Sequence, residues 1–298
     1  MSILIVSGSG RVGKEVALTL SKRGFKVSAL LRGGANHPAS AQLLDAGVNV
    51  VEGDLARPES LGDAVTRIET VICSATSMPS AANDGLRRVD HDGTLSLIDA
   101  AEERGVKRFI YISYSRNIRL DSPLERAKRD CEDQLFGSRM EAVILRPSYF
   151  MEVWLSPMLG FDPANGSARI YGSGEGKVSY ISSSNVADFA VAVTDADMSE
   201  KNTTLELGGP EALSQLEAVR MFERHVGAPI NLDYVPVEAL RTQHESSDPL
   251  QQTFGALMLG YAKGDEISDA LDNAQRYGVQ LRSLSEYASR VISEKSFA

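Results

Sequence analysis

The sequence is poor in cysteine, tryptophan and histidine, and it has no long apolar run. Its 298 residues include two cysteines, one tryptophan and four histidines. Two cysteines cannot build a disulfide framework, and Cys73 and Cys131 both fall in apolar stretches, so we expect buried thiols in a reducing compartment. The histidines lack the spacing of metal ligands, so we expect no metal site. No apolar run approaches the ~20 residues of a membrane-spanning helix, which argues against a membrane protein.

Basic residues are outnumbered by acidic ones. The chain carries 31 Lys and Arg residues against 40 Asp and Glu residues, a formal net charge of −9. That balance argues against direct binding to nucleic acid and against adsorption to an anionic membrane surface. The N-terminal residues are apolar, lack a basic segment and lead into a glycine turn, so we interpret them as a first strand rather than a signal peptide. The cytoplasm is the expected location.

Short β-branched runs alternate with segments of helical periodicity in the first half of the chain. We predict six strands, at residues 3–6, 26–31, 48–51, 71–72, 109–112 and 142–145. Helical segments lie between them, including one whose inner face carries Leu61, Val65 and Ile68. Strands separated by helices indicate βαβ units, and therefore an α/β fold with a Rossmann, doubly wound parallel sheet.

The second half of the chain has a different texture. Residues 151–175 are rich in Gly, Pro and Ser and are predicted to be loop-like. Capping boxes at Ser214 and Ser283 and the Asp248-Pro249 pair each predict the start of a helix. We therefore expect a Rossmann domain at residues 1–150, to which 176–208 returns. Residues 151–298 otherwise form a smaller, helix-rich C-terminal substrate domain in this interpretation.

A glycine-rich loop follows the first predicted strand. Its sequence, Gly8-Ser9-Gly10-Arg11-Val12-Gly13, has the form G-x-G-x-x-G and opens a helix, the context in which this pattern predicts a dinucleotide site. Gly8 is expected to permit the tight turn, Gly10 to let the backbone approach a pyrophosphate, and Gly13 to let the helix pack on the strand. The alternative is an ordinary strand-turn-helix. Arg11 either adds positive charge beside the phosphates or points to solvent.

The residues after the next strands bear on which dinucleotide is bound. An NAD site has Asp or Glu after the second strand, whereas this chain has Arg32, which favours NADP(H) over NAD(H). The alternative is a solvated surface arginine. Asp54 and Leu55, after the third strand, are predicted adenine contacts, although Asp54 alone would also serve to cap its turn. Ala75 and Thr76, after the fourth, are expected along the ribose or pyrophosphate.

The chain lacks the tyrosine of ordinary short-chain dehydrogenases. Those enzymes place a Lys four residues after a catalytic Tyr, so that the Lys lowers the pKa of the phenol. Here Lys128 lies on the helix after the fifth predicted strand, but Leu124 is four residues before it. Lys128 shares a helix face with Glu132. Either Lys128 binds the nicotinamide ribose or acts as the acid, or the two residues form a surface ion pair.

Together these features resemble the NmrA-like family of atypical short-chain dehydrogenases, with isoflavone-reductase-like enzymes as neighbours. The resemblance spans nearly the whole chain. It rests on the glycine loop and on residues 30–32, 106–113, 128–132, 145–152 and 207–213. The loop is one residue shorter than the G-x-x-G-x-x-G usual in the family, and Asn185 stands where the family often has Asp.

The resemblance implies roles for several further residues. Lys128 matches the lysine that serves catalysis in the isoflavone-reductase-like branch. Ser113 matches a serine that faces the site from the end of the fifth strand, so we expect Lys128 and Ser113 to be the catalytic residues. The segment that lines the nicotinamide and the substrate corresponds to Pro147, Tyr149 and Phe150. Further apolar surface for a substrate comes from Met151, Trp154 and Met158, for which the alternative is packing between the domains.

Two functions of different classes follow from these expectations. The first is an NADPH-dependent oxidoreductase that reduces a small carbonyl, quinone or enone of apolar or aromatic character. The second is a redox sensor that binds NADP(H) without turnover and acts through a protein partner. The missing Tyr keeps the sensor open, whereas Lys128 and the aromatic residues 149–154 favour the enzyme. A homodimer is compatible with either function.

Overall fold

The computed structural model describes residues 1–78, 84–119, 121–198 and 200–296. Strands and helices alternate up to residue 147 in the order β1 (Ser2–Val6), α1 (Arg11–Lys22), β2 (Lys26–Leu31), α2 (Ser40–Asp45), β3 (Asn49–Glu52), α3 (Leu61–Ala64), β4 (Thr70–Cys73), α4 (Asp92–Glu103), β5 (Arg108–Ile112), α5 (Pro123–Gly137) and β6 (Glu141–Pro147). The remaining elements are α6 (Met151–Trp154), β7 (Phe161–Asp162), β8 (Ser167–Tyr171), β9 (Lys177–Val178), α7 (Ser183–Ala192), β10 (Asn202–Leu207), β11 (Leu213–Ser214), α8 (Gln215–Val226), β12 (Asn231–Val235), α9 (Val237–His244), α10 (Pro249–Lys263), α11 (Ala270–Tyr277) and α12 (Leu284–Ser296).

The chain divides into two compact units that are interleaved in sequence. The first unit comprises Met1–Ser113, Pro123–Arg146 and Val186–Leu205. The second unit comprises Tyr114–Ser122, Pro147–Asn185 and Glu206–Ala298. The return to the first unit therefore begins at Val186 rather than at residue 176, and the excursion at 114–122 has no counterpart in the sequence-based division.

A seven-stranded sheet forms the centre of the fold, with strand order β10-β6-β5-β4-β1-β2-β3. The pairings from β6 to β3 are all parallel. Strands β1, β4 and β5 are almost wholly buried because helices cover the sheet, as the continuous apolar runs in their sequences require. The predicted Rossmann fold is confirmed. The seventh strand, β10, was not predicted, because it joins the sheet far along the chain from its neighbour β6.

The helix predicted around Leu61, Val65 and Ile68 is shorter than its periodicity suggests. Helix α3 ends at Ala64, and Arg67 takes a left-handed backbone conformation with φ +62°. Leu61 and Val65 are nevertheless buried, and Ile68 packs partly against the same core. The pattern therefore identified the inward-facing residues correctly but not the length of the helix.

The second unit contains more regular structure than its sequence indicates. Residues 151–175, predicted as loop-like, hold α6, β7 and β8, so that prediction is wrong. Strand β8 pairs with β7 and with β12, which lies some sixty residues further along, and such a pairing leaves no local signal. The predicted helix starts are confirmed at α8, where Ser214 and Glu217 form a complete capping box, and at α10 and α12.

Both thiols are buried, as predicted. Cys73 and Cys131 are free cysteines, and burial raises the pKa of the Cys73 thiol to about 11. They are therefore protonated and poorly reactive near neutral pH. Among the described residues, His, Cys, Asp and Glu form no group that could hold a metal ion. No helix in the described ranges is long and apolar enough to cross a bilayer, and the cytoplasmic location stays a prediction.

Candidate functional site

The loop between β1 and α1 takes a left-handed conformation at a serine. Ser7 has φ +70°, and its carbonyl oxygen accepts a 2.9 Å hydrogen bond from the Gly10 N–H. Gly8 serves close packing instead, because a Cβ at this position would lie 2.6 Å from the Cβ of Ala29 on β2. The tight turn was predicted at Gly8, but the residue with the left-handed backbone conformation is Ser7.

The start of α1 is free of side-chain caps and packed against the loop. Gly10 is the N-cap residue, with an extended backbone and no side-chain hydrogen bond to the first turn. Arg11 is exposed at the first helical position, whereas Val12 is buried. A Cβ on Gly13 would lie 2.2 Å from the Ser7 carbonyl oxygen, so α1 approaches the end of β1 at a distance that only glycine allows.

Replacing Gly13 with alanine is expected to lower the free energy of unfolding by about 1–3 kcal/mol, because the helix or the loop must shift to admit the methyl group. Urea denaturation followed by circular dichroism measures the change. Gly137→Ala is the matched control, since no atom of the described residues lies within 4 Å of a Cβ at Gly137. Equal destabilisation of the two variants would contradict a specific close contact at Gly13.

A cavity of about 460 Å³ opens at the carboxyl ends of β1 to β4 in the first unit. The strand order reverses between β1 and β4, the position at which doubly wound proteins bind their ligands. The loop between β1 and α1 contributes Ser7 and Ser9 to the lining. Five of the predicted cofactor residues meet here: Arg32, Asp54, Leu55, Ala75 and Thr76.

Two arginines line this cavity. Arg32 is exposed, and in the part of the chain that the structure describes its guanidinium makes no hydrogen bond or ion pair. Arg88, which the sequence did not single out, donates from Nη2 to the Ala56 carbonyl oxygen at 3.3 Å and lies 3.5 Å from the Asp84 carboxylate. Arg32 is therefore the more available of the two for an anion.

Asp54 has the capping role that the sequence left open as an alternative. Its Oδ1 accepts a 2.9 Å hydrogen bond from the Ala56 N–H, and Arg57 Nε lies 3.8 Å from Oδ2. Leu55 beside it is buried, whereas Asp54 is partly exposed. Asp54 thus shapes the turn after β3 and also lines the cavity.

A buried carboxylate supports the wall of the cavity after β4. Asp90 lies on a π-helical turn, Leu86–His91, directly before α4 and is fully buried. Its Oδ2 accepts hydrogen bonds from the Ser77 N–H at 2.9 Å and the Ser77 hydroxyl at 2.5 Å. This contact anchors the segment that carries Ala75 and Thr76. Nothing in the local sequence pattern pointed to Asp90, because its partner is thirteen residues away on another element.

Lys128 is buried at the carboxyl edge of the sheet, with 4% of its surface exposed. Its Nζ donates to the carbonyl oxygens of Ala75 and Ile112, each at 3.3 Å, and lies 4.8 Å from the centroid of the Tyr111 ring. Ala75 follows β4 and Ile112 ends β5. Since Ala75 also lines the cavity, the ammonium group is one hydrogen bond away from the cavity wall.

Glu132 belongs to a buried network of arginines. Its side chain is 2% exposed, Arg129 Nη1 lies 2.6 Å from Oε1, and Arg146 donates from Nε at 3.2 Å and also from Nη2. Burial alone raises the pKa of this carboxyl, but the hydrogen bonds from Arg146 and Ser113 and the arginine charges outweigh it and hold the pKa below its usual value. One alternative considered from the sequence was a surface ion pair between Glu132 and Lys128. That alternative is wrong, because Glu132 is buried and pairs with arginines.

Ser113 joins this network rather than standing alone. Its Oγ accepts a 3.3 Å hydrogen bond from Arg129 Nη1, and its N–H donates to the Leu145 carbonyl oxygen on β6. Ser113 directly follows β5, as predicted. The network therefore ties α5, which carries Lys128, to the ends of β5 and β6.

The predicted substrate residues lie in the second unit and are only partly brought together. Tyr149 is buried, its ring centroid lies 4.6 Å from that of Trp154, and its hydroxyl donates to the Leu257 carbonyl oxygen at 3.1 Å. Met151 is buried in the same core. Met158 lies apart and is 63% exposed. The remaining two, Pro147 and Phe150, lie at the end of β6 and directly before α6.

An aromatic residue that the sequence did not single out completes this cluster. The Tyr261 ring lies 4.5 Å from Trp154 and 5.1 Å from Tyr149, and its hydroxyl lies 2.5 Å from that of Tyr180. Tyr261 is on α10, far from the others in sequence, so no local pattern could have placed it.

Asn185, a departure from the family pattern, has a structural explanation. It is fully buried, its Nδ2 donates to the Gln280 carbonyl oxygen at 2.8 Å, and its Oδ1 accepts from the Arg282 N–H at 2.8 Å. An aspartate could not supply the donated hydrogen bond. Asn185 therefore holds the segment that leads into α12.

The doubly wound sheet, the glycine loop and the cavity at the switch point define a dinucleotide-binding type of α/β protein. The chain belongs to the NmrA-like family, whose model matches residues 1–288. The resemblance inferred from the sequence is thereby confirmed.

Several known proteins are similar along most of their length. The photosystem II assembly factor Ycf39 of Trieres chinensis is 30% identical over 287 residues, which cover 94% of this chain and 83% of that protein. The isoflavone reductase homolog IRL of Zea mays is 28% identical over 295 residues, which cover 92% of this chain and 90% of that protein. The structure of an NADPH-dependent quinone oxidoreductase from Escherichia coli complexed with NADPH superposes with a TM-score of 0.78 at 20% identity, over 98% of this chain and 99% of that chain. At 20% identity this structural similarity establishes a shared fold and nothing beyond it.

Proposed function

We propose that the protein is an NADPH-dependent oxidoreductase that reduces a small apolar carbonyl, quinone or enone by hydride transfer. The observation that carries the proposal is the cavity at the carboxyl ends of β1 to β4, where the glycine loop meets Arg32. Membership of the NmrA-like family and similarity to a protein named as a quinone oxidoreductase support it. The bound nicotinamide supplies the hydride, and the side chains of this protein bind and orient it.

The residues present fit a dinucleotide. The uncapped N-terminus of α1 offers free N–H groups and the positive end of the helix dipole to a pyrophosphate. Gly10 keeps side-chain atoms off the loop, since a Cβ there would lie 2.7 Å from Ser7 Oγ. Exposed Arg11 adds positive charge at the same helix end. In this proposal Asp54 and Leu55 contact the adenine, and Ala75 and Thr76 contact the ribose or pyrophosphate.

Preference for NADPH over NADH is assigned to Arg32. Its guanidinium can form bidentate hydrogen bonds with the 2′-phosphate, and no group of the described chain competes for it. Arg88 lines the same cavity and adds to the positive potential.

Arg32→Ala is expected to weaken NADPH binding by about 10- to 100-fold, the effect of losing charge-assisted hydrogen bonds to a phosphate. NADH binding should change little, because NADH lacks the 2′-phosphate. Fluorescence titration of both cofactors measures the two affinities. Arg23→Ala, at the far end of α1, is the charge-matched control. An equal loss for both cofactors would refute the assignment.

Lys128 is proposed to hold the nicotinamide ribose. A protonated Lys has three N–H donors, and two are directed to the carbonyl oxygens of Ala75 and Ile112, so the third remains for a ribose hydroxyl. Ser113, expected from the sequence to be catalytic, positions Lys128 through the network with Arg129 and Glu132.

The substrate is proposed to be apolar or aromatic. Support comes from the aromatic and apolar composition of the segment that carries Pro147, Tyr149 and Phe150, followed by Met151 and Trp154. Met158, exposed on the same segment, would contribute a flexible apolar contact.

A second candidate function is a sensor that binds NADP(H) and acts through a protein partner. The similarity to relatives named as photosystem II assembly factors favours it. Consumption of NADPH with a panel of quinones, enones and aldehydes separates the two candidates. Turnover of any panel member supports the enzyme, whereas tight NADPH binding without turnover across the panel supports the sensor.

A further inference from the structure

A second cavity, of about 670 Å³, lies wholly within the second unit. Three segments line it. They are residues 116–119, which contribute Arg116, Asn117 and Arg119, strand β9, which contributes Lys177, and residues 263–266, which end and follow α10. Its volume falls in the range of small-molecule sites. None of the residues predicted from the sequence lies here, and the cavity plays no part in the proposed hydride transfer.

Basic side chains dominate this cavity. Arg116, Arg119, Lys177 and Lys263 face two carboxylates, Asp265 and Glu266. All four basic residues are exposed, and among the described residues their side chains make no ion pair or hydrogen bond. In a chain of net charge −9, such a cluster is a local reversal of sign that attracts anions.

Two glycines hold the lysine-bearing segments together. A Cβ on Gly264, whose φ is +101°, would lie 2.6 Å from the Lys177 carbonyl oxygen, and a Cβ on Gly176 would lie 2.7 Å from the Ala262 carbonyl oxygen. The Asp265 N–H donates to the Lys177 carbonyl oxygen at 2.8 Å. The backbones on which Lys177 and Lys263 stand are therefore fixed beside each other.

Asp265 adds a buried acceptor to the cavity. Its side chain is 2% exposed, and Oδ1 accepts from the Ser115 hydroxyl at 2.8 Å and from Asn117 Nδ2 at 3.0 Å. Its Oδ2 is buried and has no hydrogen-bond partner within the described residues. A buried carboxylate oxygen without a donor is costly. A small rotation of the Asp265 side chain would bring this oxygen to the cavity, where a hydroxyl group of a ligand would satisfy it.

We propose that this cavity binds a hydroxylated phosphate ester of about the size of a sugar phosphate. The basic side chains bind the phosphate dianion, and Asp265 accepts a hydrogen bond from a hydroxyl of the same molecule. A phosphate is favoured over a carboxylate because four unpaired basic groups exceed what one carboxylate can engage.

Calorimetric titration with glucose 6-phosphate, sulfate and glucose tests the proposal, since sulfate lacks the hydroxyls and glucose lacks the anion. We expect glucose 6-phosphate to bind more tightly than either. The double variant Arg119→Ala/Lys263→Ala should weaken it by about tenfold or more. Arg224→Ala, an exposed basic residue of α8 outside the cavity, should leave it unchanged. No binding of glucose 6-phosphate to the wild type, or equal effects of the double variant and Arg224→Ala, would overturn the site.

Two further variants test the ligand class and the location. Asp265→Asn keeps the acceptor for Ser115 and Asn117 but replaces the unpartnered oxygen with a donor, so the affinity for glucose 6-phosphate should fall to that for sulfate. Retained preference for glucose 6-phosphate would overturn the role of Asp265. Arg32→Ala, in the first-unit cavity, should leave glucose 6-phosphate binding unchanged. Loss of glucose 6-phosphate binding in Arg32→Ala would place the ligand in the first-unit cavity and refute a second site.

Discussion

Replacement of Lys128 by methionine is expected to lower kcat by about 100-fold or more. This is the usual effect of losing a side chain that orients the cofactor or donates a proton to the reacting group. Methionine keeps most of the buried volume but removes the ammonium group that lies at the carboxyl ends of β4 and β5. Steady-state NADPH oxidation with a quinone found active in the panel measures kcat and KM, and thermal unfolding measured beside it reports on the fold.

Lys107→Met is the matched control, because Lys107 directly precedes β5, its side chain is 77% exposed and its ammonium group forms a surface ion pair with Glu69. That variant should keep wild-type kcat. An unchanged kcat in Lys128→Met would remove Lys128 from the proposed mechanism. A fall in kcat with unchanged NADPH affinity would assign Lys128 to the chemical step, and a parallel loss of NADPH affinity would assign it to holding the ribose.

Glu132→Leu is expected to lower the free energy of unfolding by about 3–5 kcal/mol, the usual result of removing one partner from a buried ion pair. The substitution leaves Arg146 and Arg129 beside each other without their shared carboxylate. Chemical denaturation at pH 7 measures the loss. Adding Arg146→Met should recover part of it, because one of the two arginine charges that lose their shared carboxylate is then removed. Glu102→Leu, which breaks the exposed pair with Arg139, is the control and should have a much smaller effect.

The effect of Glu132 should depend on pH with a defined sign. The pKa of its carboxyl is lower in the folded protein than in the unfolded chain, so its ionised form stabilises the fold above the unfolded pKa of about 4.3. That contribution is lost as the pH falls through the lower folded pKa. The difference in stability between the wild type and Glu132→Gln should therefore shrink below about pH 4.3. A difference that is constant from pH 7 to pH 3 would contradict the lowered pKa.

Features set by neighbouring residues were predictable from the sequence. Strand β2 was located to the residue, because its largely apolar run lies between a glycine stop and a basic residue. The start of α8 was predictable for the same reason, because both hydrogen bonds of the capping box formed by Ser214 and Glu217 are made within four residues. The cofactor cavity was partly predictable, because parallel strands bring the residues that follow them to one edge.

Features made by distant residues could not be predicted. Glu132 forms its ion pair with Arg146, which lies fourteen residues away on another element. Helix periodicity indicates only neighbours on the same helix, so the sequence pointed to Lys128 as the partner. The hydrogen bonds from Ser77 to buried Asp90 depend on a π-helical turn, which has no sequence signature of its own. The β8–β12 pairing joins two short strands about sixty residues apart, so neither strand has a local signal of the pairing.

The interleaving of the two units also governs how the protein can be made. Because β10 supplies the outer strand beside β6, the sheet is incomplete until residue 207 has left the ribosome. During synthesis, β6 is therefore an unpaired edge for as long as residues 148–201 are being added, and such edges invite pairing with other chains. A fragment that stops at residue 150 would keep the glycine loop but expose this edge permanently. Expression trials should therefore retain the chain at least to Leu207.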